Sequence, residues 1–119
     1  MYHSKSFYLG LQNKNNLFLP SVISAFKILV DESYFHLTDD EERRMHPKNT
    51  IAFIRCVAGQ GKIYTKSNEY ELNENDYIFL NFHDIIKYKA SAQVWGYRWT
   101  NFTYFGCKDF ELEKISQSD

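Results

Sequence analysis

Three aromatic side chains are the residues of this sequence best suited to binding a small molecule. Tyr97 and Trp99 alternate with Arg98 and Thr100, so both rings share one face of a predicted strand. Tyr88 stands between two lysines whose charges favour solvent, which places its ring on an inward face. Flat rings stack on the C–H faces of sugars, and large aromatic residues also pack in ordinary cores. Both roles remain open for these three rings.

Two arginines are further candidates for contact with a ligand. Arg55 lies alone inside the apolar run 50–58. An arginine is rarely buried without a partner, so Arg55 either faces solvent or lines a pocket. Arg44 lies in the charged stretch 38–44, where the residues alone favour an exposed surface arginine.

The sequence shows no pattern typical of catalysis or metal binding. Its four histidines have no ligand spacing among them. It contains no Gly-x-Ser-x-Gly, no P-loop and no paired Cys and His for nucleophilic chemistry. We therefore predict no catalytic residue, no metal and no cofactor.

The composition predicts one globular domain. The chain has 119 residues, 44% hydrophobic and 18% aromatic, with a formal net charge of −1. This charge argues against a nucleic-acid-binding surface within the chain itself. Two distant cysteines and no signal peptide indicate reduced thiols and a cytoplasmic protein. No apolar segment approaches the roughly 20 residues of a membrane helix, so no membrane contact is expected.

Short strands with turns between them predict an all-β fold. We expect strands over 24–31, 50–58, 62–65, 77–80 and 96–105, with a tight turn at Gly59-Gln60-Gly61. In the segment 86–89, Ile86 and Tyr88 are predicted to point inward. Cys56 is expected to be a small buried hydrophobe.

Helical signals are few. The stretch 38–44 carries a Thr-x-x-Glu capping box that begins at Thr38, which indicates at most one helical turn. A short C-terminal helix is expected over 109–116.

Four features follow one another along residues 44–106: an arginine, a Gly-x-Gly turn, an Asx-rich turn before a hydrophobic strand, and an aromatic closing strand. They are Arg44, Gly59-Gln60-Gly61, Asn75-Asp76, and Trp95, Tyr97, Trp99 and Phe102. In this combination the segment resembles the cupin-type sensor domain of AraC-type transcription regulators. The resemblance implies a cupin-like double-stranded β-helix, or jelly-roll barrel. It departs from the family at Asn75, which replaces a glycine, and at Ile86, where metal cupins and many relatives place a histidine.

The resemblance also implies a function. Such barrels bind a small effector, often a sugar or another small metabolite, and the matching positions here are Arg44, Tyr88, Tyr97 and Trp99; Arg55 is added from the residue pattern. Residues 1–119 would form a single sensor domain, with DNA contacted only through a C-terminal helix-turn-helix domain absent from this chain. A homodimer is compatible with this interpretation.

Two alternatives stay open at this stage. The first is a stand-alone cupin enzyme, an isomerase or a dioxygenase, which would need metal ligands inside the barrel. The second is a carbohydrate-binding module without a regulatory role. Ile86 and the absence of a His-x-His cluster favour the non-enzymatic sensor.

Overall fold

Antiparallel strands form almost all of the molecule. The computed structural model describes residues 2–8, 21–103 and 114–116, and the side chains of 22–103. The strands are β1 (Tyr2–Tyr8), β2 (Ser21–Asp31), β3 (Phe35–Leu37), β4 (Thr50–Thr65), β5 (Glu69–Asn73), β6 (Asp76–Asn81), β7 (Ile85–Thr103) and β8 (Lys114–Ser116). One α-helix, α1 (Asp40–Arg44), and a 3₁₀ turn at Phe82–Asp84 complete the described elements. The predicted all-β, cupin-like jelly-roll fold is confirmed.

The long strands β4 and β7 hold the barrel together, because each pairs with different neighbours along its length. The sheet order is β1-β2-β7-β4-β6-β8, with β3 added on β7 and β5 added on β4. The first part of β4 pairs with β6 and its last part with β5, while β7 pairs first with β3 and then with β2. Each long strand therefore pairs with one neighbour along its first part and with another along its last part.

The tight turn predicted at Gly59-Gln60-Gly61 is wrong, because β4 continues through these residues as one strand. The register between β4 and β7 shifts between Gly59 and Gly61, which marks a bulge in the ladder. Gly59 has a φ of 67°, in the region that favours glycine. A positive φ is found in bulges as well as in hairpin turns. The glycines therefore correctly indicated an unusual backbone conformation here, but it forms a bulge and not a turn.

Two other local predictions are corrected. Ile86 does not point inward; it is exposed, while Ile85 and Tyr88 are buried. Tyr64 pairs with Lys87 and Thr65 with Ile85, so Ile86 is the extra residue of a bulge and the alternation changes phase there.

The C-terminal helix expected over 109–116 is contradicted at Lys114–Ser116. This segment is the strand β8, which pairs antiparallel with β6. Residues 109–113 lie outside the described part of the chain.

The core fills the interior of the barrel with aromatic and branched side chains. Its largest fully buried members are Trp95, Trp99 and Tyr97, all on β7, and Cys56 is buried as predicted. Asn75 has a φ of 76°, so it takes the left-handed conformation expected of the residue that replaces glycine. The turn between β5 and β6 is thereby preserved.

Candidate functional site

The inward face of β7 forms an aromatic wall. Trp95, Tyr97, Trp99 and Asn101 are all buried, whereas Arg98 between them is exposed, which confirms the predicted alternation. The ring of Trp99 lies 4.7 Å from that of Tyr88, measured between centroids. These two predicted ligand contacts are therefore adjacent in space.

A second strand supplies a ring that the sequence analysis did not single out. Phe26 on β2 stacks on Trp99 with centroids 5.8 Å apart and planes 17° from parallel. Ser24 and Ile28, two residues before and after it, are buried on the same face. This alternation was hidden in the sequence because Ala25 and Leu29 on the opposite face are also apolar, and only Lys27 between them is charged and exposed.

These rings border a pocket of about 240 Å³ at one end of the barrel. Its walls come from β2, β7, α1, the residues just after α1, and the 3₁₀ turn. The lining side chains are Ser24, Phe26, Glu42, Met45, His46, Phe82, Tyr88, Trp99 and Asn101. We call this space the inner pocket.

Polar groups on the wall of the inner pocket are joined in a buried chain. The Trp99 indole N–H donates to Asn101 Oδ1 at 2.8 Å, and Asn101 Nδ2 donates to Ser24 Oγ at 3.1 Å. Since an unpaired buried polar group is costly, this chain allows an indole and an amide to line the ring-rich side of the cavity. It also holds the Trp99 ring in one orientation.

Helix α1 contributes the charged side of the inner pocket, and a capping box defines where it begins. Asp39 Oδ1 accepts from the Glu42 N–H at 2.8 Å, and the Glu42 side chain reaches back to the Asp39 N–H. The capping residue is thus Asp39, and the prediction of Thr38 was wrong by one position. Thr38 instead donates its backbone N–H to the Ile86 carbonyl at 3.0 Å, in the ladder beside β7.

Three histidines fasten α1 to the barrel. His36 Nε2 lies 2.8 Å from Glu42 Oε1, and its ring stacks on Tyr88. His46 donates from Nδ1 to the Glu42 carbonyl at 2.7 Å and stacks on Phe82, with centroids 4.0 Å apart. His83 lies with Nε2 3.0 Å from the carbonyl of His46.

These histidines do not amount to a metal centre. Within the described residues, no group of three or more His, Cys, Asp or Glu is arranged to hold a metal ion.

The five predicted site residues fall into four places. Tyr88 and Trp99 line the inner pocket. Tyr97 lies behind them, fully buried, with its hydroxyl 3.1 Å from that of Tyr34. Arg55 lies on the outer face of β4, since Ile54 and Cys56 on either side of it point into the core.

Arg44 lines a different space. It is exposed on α1 and borders an open depression of about 520 Å³ together with Arg43, Lys48 and His83. This outer depression shares His46 with the inner pocket. The structure therefore brings Tyr88, Trp99 and, behind them, Tyr97 together, and leaves both arginines apart from them.

Sequence reasoning missed the contribution of α1, namely Glu42, Met45 and His46. Charged residues beside a short helix ordinarily form a solvated surface, and only the docking of α1 against the barrel end makes them part of a cavity. Asn101 could have been found, because it shares the inward face with Trp99.

A comparison with protein families shows to which family the chain belongs. The family model described as the AraC-like ligand binding domain matches residues 30–105, more than half of the sequence. The chain belongs to this family. Curated protein sequences give no match.

Solved structures similar to this AraC-like domain agree on the fold. The protein YhaK from Escherichia coli matches with a TM-score of 0.72 at 10% sequence identity. The match covers 96% of this chain and 51% of the YhaK chain. A Cupin_2 domain of an XRE family transcriptional regulator from Enterobacter cloacae matches with a TM-score of 0.60 at 11% sequence identity. The match covers 87% of this chain and 96% of that domain's chain.

A third similar structure is an HTH_3 family transcriptional regulator from Vibrio cholerae. It has a TM-score of 0.57 at 16% identity, covering 68% of this chain and 42% of its own. The AraC-like domain spans about half the length of the Vibrio cholerae regulator and of YhaK.

Among the described residues, no helix combines the length and the apolar character needed to cross a bilayer.

Proposed function

We propose that this AraC-like domain is the sensor of a transcription regulator and that its effector, a small polar metabolite, binds in the inner pocket. The observation that carries the proposal is the inner pocket itself, with Phe26, Tyr88 and Trp99 on the barrel side and α1 on the other. Concave sites lined by rings and a few polar groups are typical of small-molecule binding. The match to a family of ligand binding domains supports the same assignment.

Ligand binding would act on α1. Glu42, Met45 and His46 come from α1 and the residues directly after it, so a ligand in the pocket contacts the barrel and this segment at once. Such a ligand favours the arrangement in which α1 is docked and shifts the population toward it. Attached DNA-binding elements, supplied by another part of the protein, would respond to that shift as a coupled site.

The proposal assigns ligand contact to Tyr88 and Trp99 and a supporting role to Tyr97, which packs behind them. Arg44 is proposed as a peripheral ligand contact in the outer depression, separate from the effector that binds in the inner pocket. Arg55 has no part in the proposed site, because it projects from the opposite face of the sheet. Catalysis has no part in the proposal either.

A thermal-shift panel of sugars, sugar acids, amines and amino acids on the 119-residue chain tests this proposal. A compound at about 100 times its dissociation constant should stabilise the fold by about 2.7 kcal/mol, a shift of about 8 °C or more. Phe26→Ala should abolish the shift, since it removes one wall of the pocket.

Phe53→Ala is the matched control for Phe26→Ala. Phe53 is also half-buried, but it packs against Phe79 on the outer face of β4, with centroids 4.8 Å apart. Both truncations should lower the melting temperature, so the ligand response is compared within each variant. Equal responses in the two variants would contradict the inner pocket as the binding site.

A further inference from the structure

The inner pocket has a single formal charge on its wall. Of the nine described side chains that line it, Glu42 is the only carboxylate, and none is a lysine or an arginine. The cationic side chains nearby, Arg43, Arg44 and Lys48, line the outer depression instead. A ligand anion in the inner pocket would meet a like charge with no lining arginine or lysine to offset it.

Four aromatic rings surround the same space: Phe26, Phe82, Tyr88 and Trp99. The face of an aromatic ring is electrostatically negative and attracts a cation within about 6 Å of the ring centre. Rings grouped with a carboxylate are therefore a cation-binding combination, because both components favour the same sign of charge.

Most of the polar atoms on the wall are already bonded within the protein. Trp99 Nε1 and both ends of the Asn101 amide belong to the buried chain that ends at Ser24. His46 Nδ1 donates to the Glu42 carbonyl, so a neutral His46 ring presents Nε2 as an acceptor. A sugar with several hydroxyl groups would find few partners among these atoms.

Glu42 keeps one oxygen for a ligand. Oε1 accepts from His36 at 2.8 Å and from the Asp39 N–H at 3.4 Å. Among the residues with described side chains, no hydrogen bond reaches Oε2. The carboxylate thus offers an acceptor at the charged side of the pocket, opposite a wall made largely of rings.

From this arrangement we infer that the effector is a small organic monocation, a protonated amine or a quaternary ammonium compound. Its charged group lies between the Glu42 carboxylate and the rings. The pocket of about 240 Å³ is smaller than the roughly 300–1,000 Å³ typical of sites for drug-sized ligands, so the cation is small. This inference rests on the proposed function and adds the chemical class of the ligand.

Calorimetric titration of the 119-residue chain with two matched pairs of probes tests the charge. One pair is choline and its uncharged carbon isostere 3,3-dimethylbutan-1-ol; the other is isobutylamine and isobutanol. The buffer is held at about pH 8, where free histidine is neutral and alkylamines stay protonated. We expect at least one cation to bind at least about tenfold more tightly than its neutral partner, a difference of about 1.4 kcal/mol.

Glu42→Gln isolates the role of the carboxylate. Glutamine preserves the capping box and the shape of the side chain while it removes the charge. The variant should lose most of the preference for the cation. Glu41→Gln, an identical change at an exposed neighbouring position of α1, should leave that preference intact.

The outcomes separate this inference from the proposed function. If neither cation binds better than its neutral partner, or if Glu42→Gln keeps the full preference, the inference is overturned. If a sugar or an anion binds instead and Phe26→Ala abolishes that binding, the inference fails while the inner pocket stands as the sensor site. If binding of every compound survives Phe26→Ala, the proposed function fails as well.

Discussion

Gly61 allows the indole of Trp95 to lie directly on the backbone of β4. A Cβ built at Gly61 would lie 2.0 Å from Cε2 of Trp95, far inside van der Waals contact. Trp95 is fully buried and cannot move aside without disturbing the rings next to it, such as Tyr97 at a centroid distance of 4.2 Å. The shape of the core thus depends on the absence of a single side-chain atom.

Gly61→Ala should therefore destabilise the fold strongly. Overpacking of this kind costs about 1–3 kcal/mol and sometimes more, and we expect the upper part of that range. Gly96→Ala is the control, because its Cβ would approach no atom closer than 3.3 Å. Urea denaturation should show a much larger loss for Gly61→Ala, and equal losses would contradict this packing.

Cys56 is predicted to be inert while the protein is folded. Burial raises the pKa of its thiol from 9.0 to about 11, and the S–H group donates to the Ala58 carbonyl at 3.4 Å. A raised pKa favours the protonated thiol in the folded state. Its contribution to stability is present below about pH 9 and is lost as the pH rises from 9 to about 11.

The reactivity of Cys56 can be measured with a thiol reagent in a Cys107→Ser background. The folded protein should react far more slowly than the denatured protein at about pH 8. Between pH 9 and 11, the free energy of unfolding should fall more steeply than in the Cys56→Ala variant, which has no thiol to titrate at this position. Rapid reaction of the folded protein would show that Cys56 is accessible.

At the scale of elements, helix α1 is short and depends on its first turn. It has five residues, none of them buried, so little hydrophobic packing holds it in place. Its stability comes from the Asp39 cap, from the contacts of His36 and His46, and from the hydrogen bond that Arg43 donates to the Ile85 carbonyl of β7. The charged side of the inner pocket thus rests on a few polar interactions.

Asp39→Ala should loosen α1 and weaken ligand binding. Loss of an N-cap costs about 0.5–2 kcal/mol, whereas Asp39→Asn retains a capping side chain and should be nearly neutral. Hydrogen exchange at the amides of 42–45 should accelerate in the alanine variant only. Unchanged exchange together with unchanged ligand affinity would show that the cap does not support the pocket.

The sequence predicted elements well where alternation is unambiguous. On β7 the bulky rings at Tyr97 and Trp99 alternate with Arg98 and Thr100, so the inward face could be assigned. The prediction from alternation failed at Ile86, because a bulge there changes which residues face inward and no glycine or proline in the sequence indicates it. The glycines of β4 signalled an unusual backbone, yet a hairpin and a bulge require the same conformational freedom.

Tertiary docking explains what the sequence could not reveal about the candidate site. Tyr88 and Trp99 were predicted because they are aromatic and inward. Glu42 and His46 look like ordinary surface residues until α1 packs over the end of the barrel. Arg44 illustrates the reverse case, since its position in the family pattern suggested the pocket and its side chain borders the outer depression.

The molecule as a whole has two concave surfaces, the inner pocket and the outer depression, which are separated by the segment around His46. The inner pocket carries rings and one carboxylate, whereas the outer depression carries three cations, Arg43, Arg44 and Lys48, against the single carboxylate of Asp40. They would attract ligands of opposite charge. The surface that binds the effector therefore determines which charge of ligand the domain responds to.

The two tryptophans provide the most direct test. Each indole N–H gives one signal in a ¹⁵N correlation spectrum, and Trp99→Phe assigns the pair. Trp99 lines the inner pocket, whereas Trp95 is packed against Gly61 and does not line it. The panel compound with the largest thermal shift is titrated into the labelled 119-residue chain.

We expect the Trp99 signal to move progressively and to saturate, with a much smaller displacement of the Trp95 signal. Saturable binding that leaves the Trp99 signal in place would contradict ligand binding in the inner pocket, because the ligand would then occupy another surface.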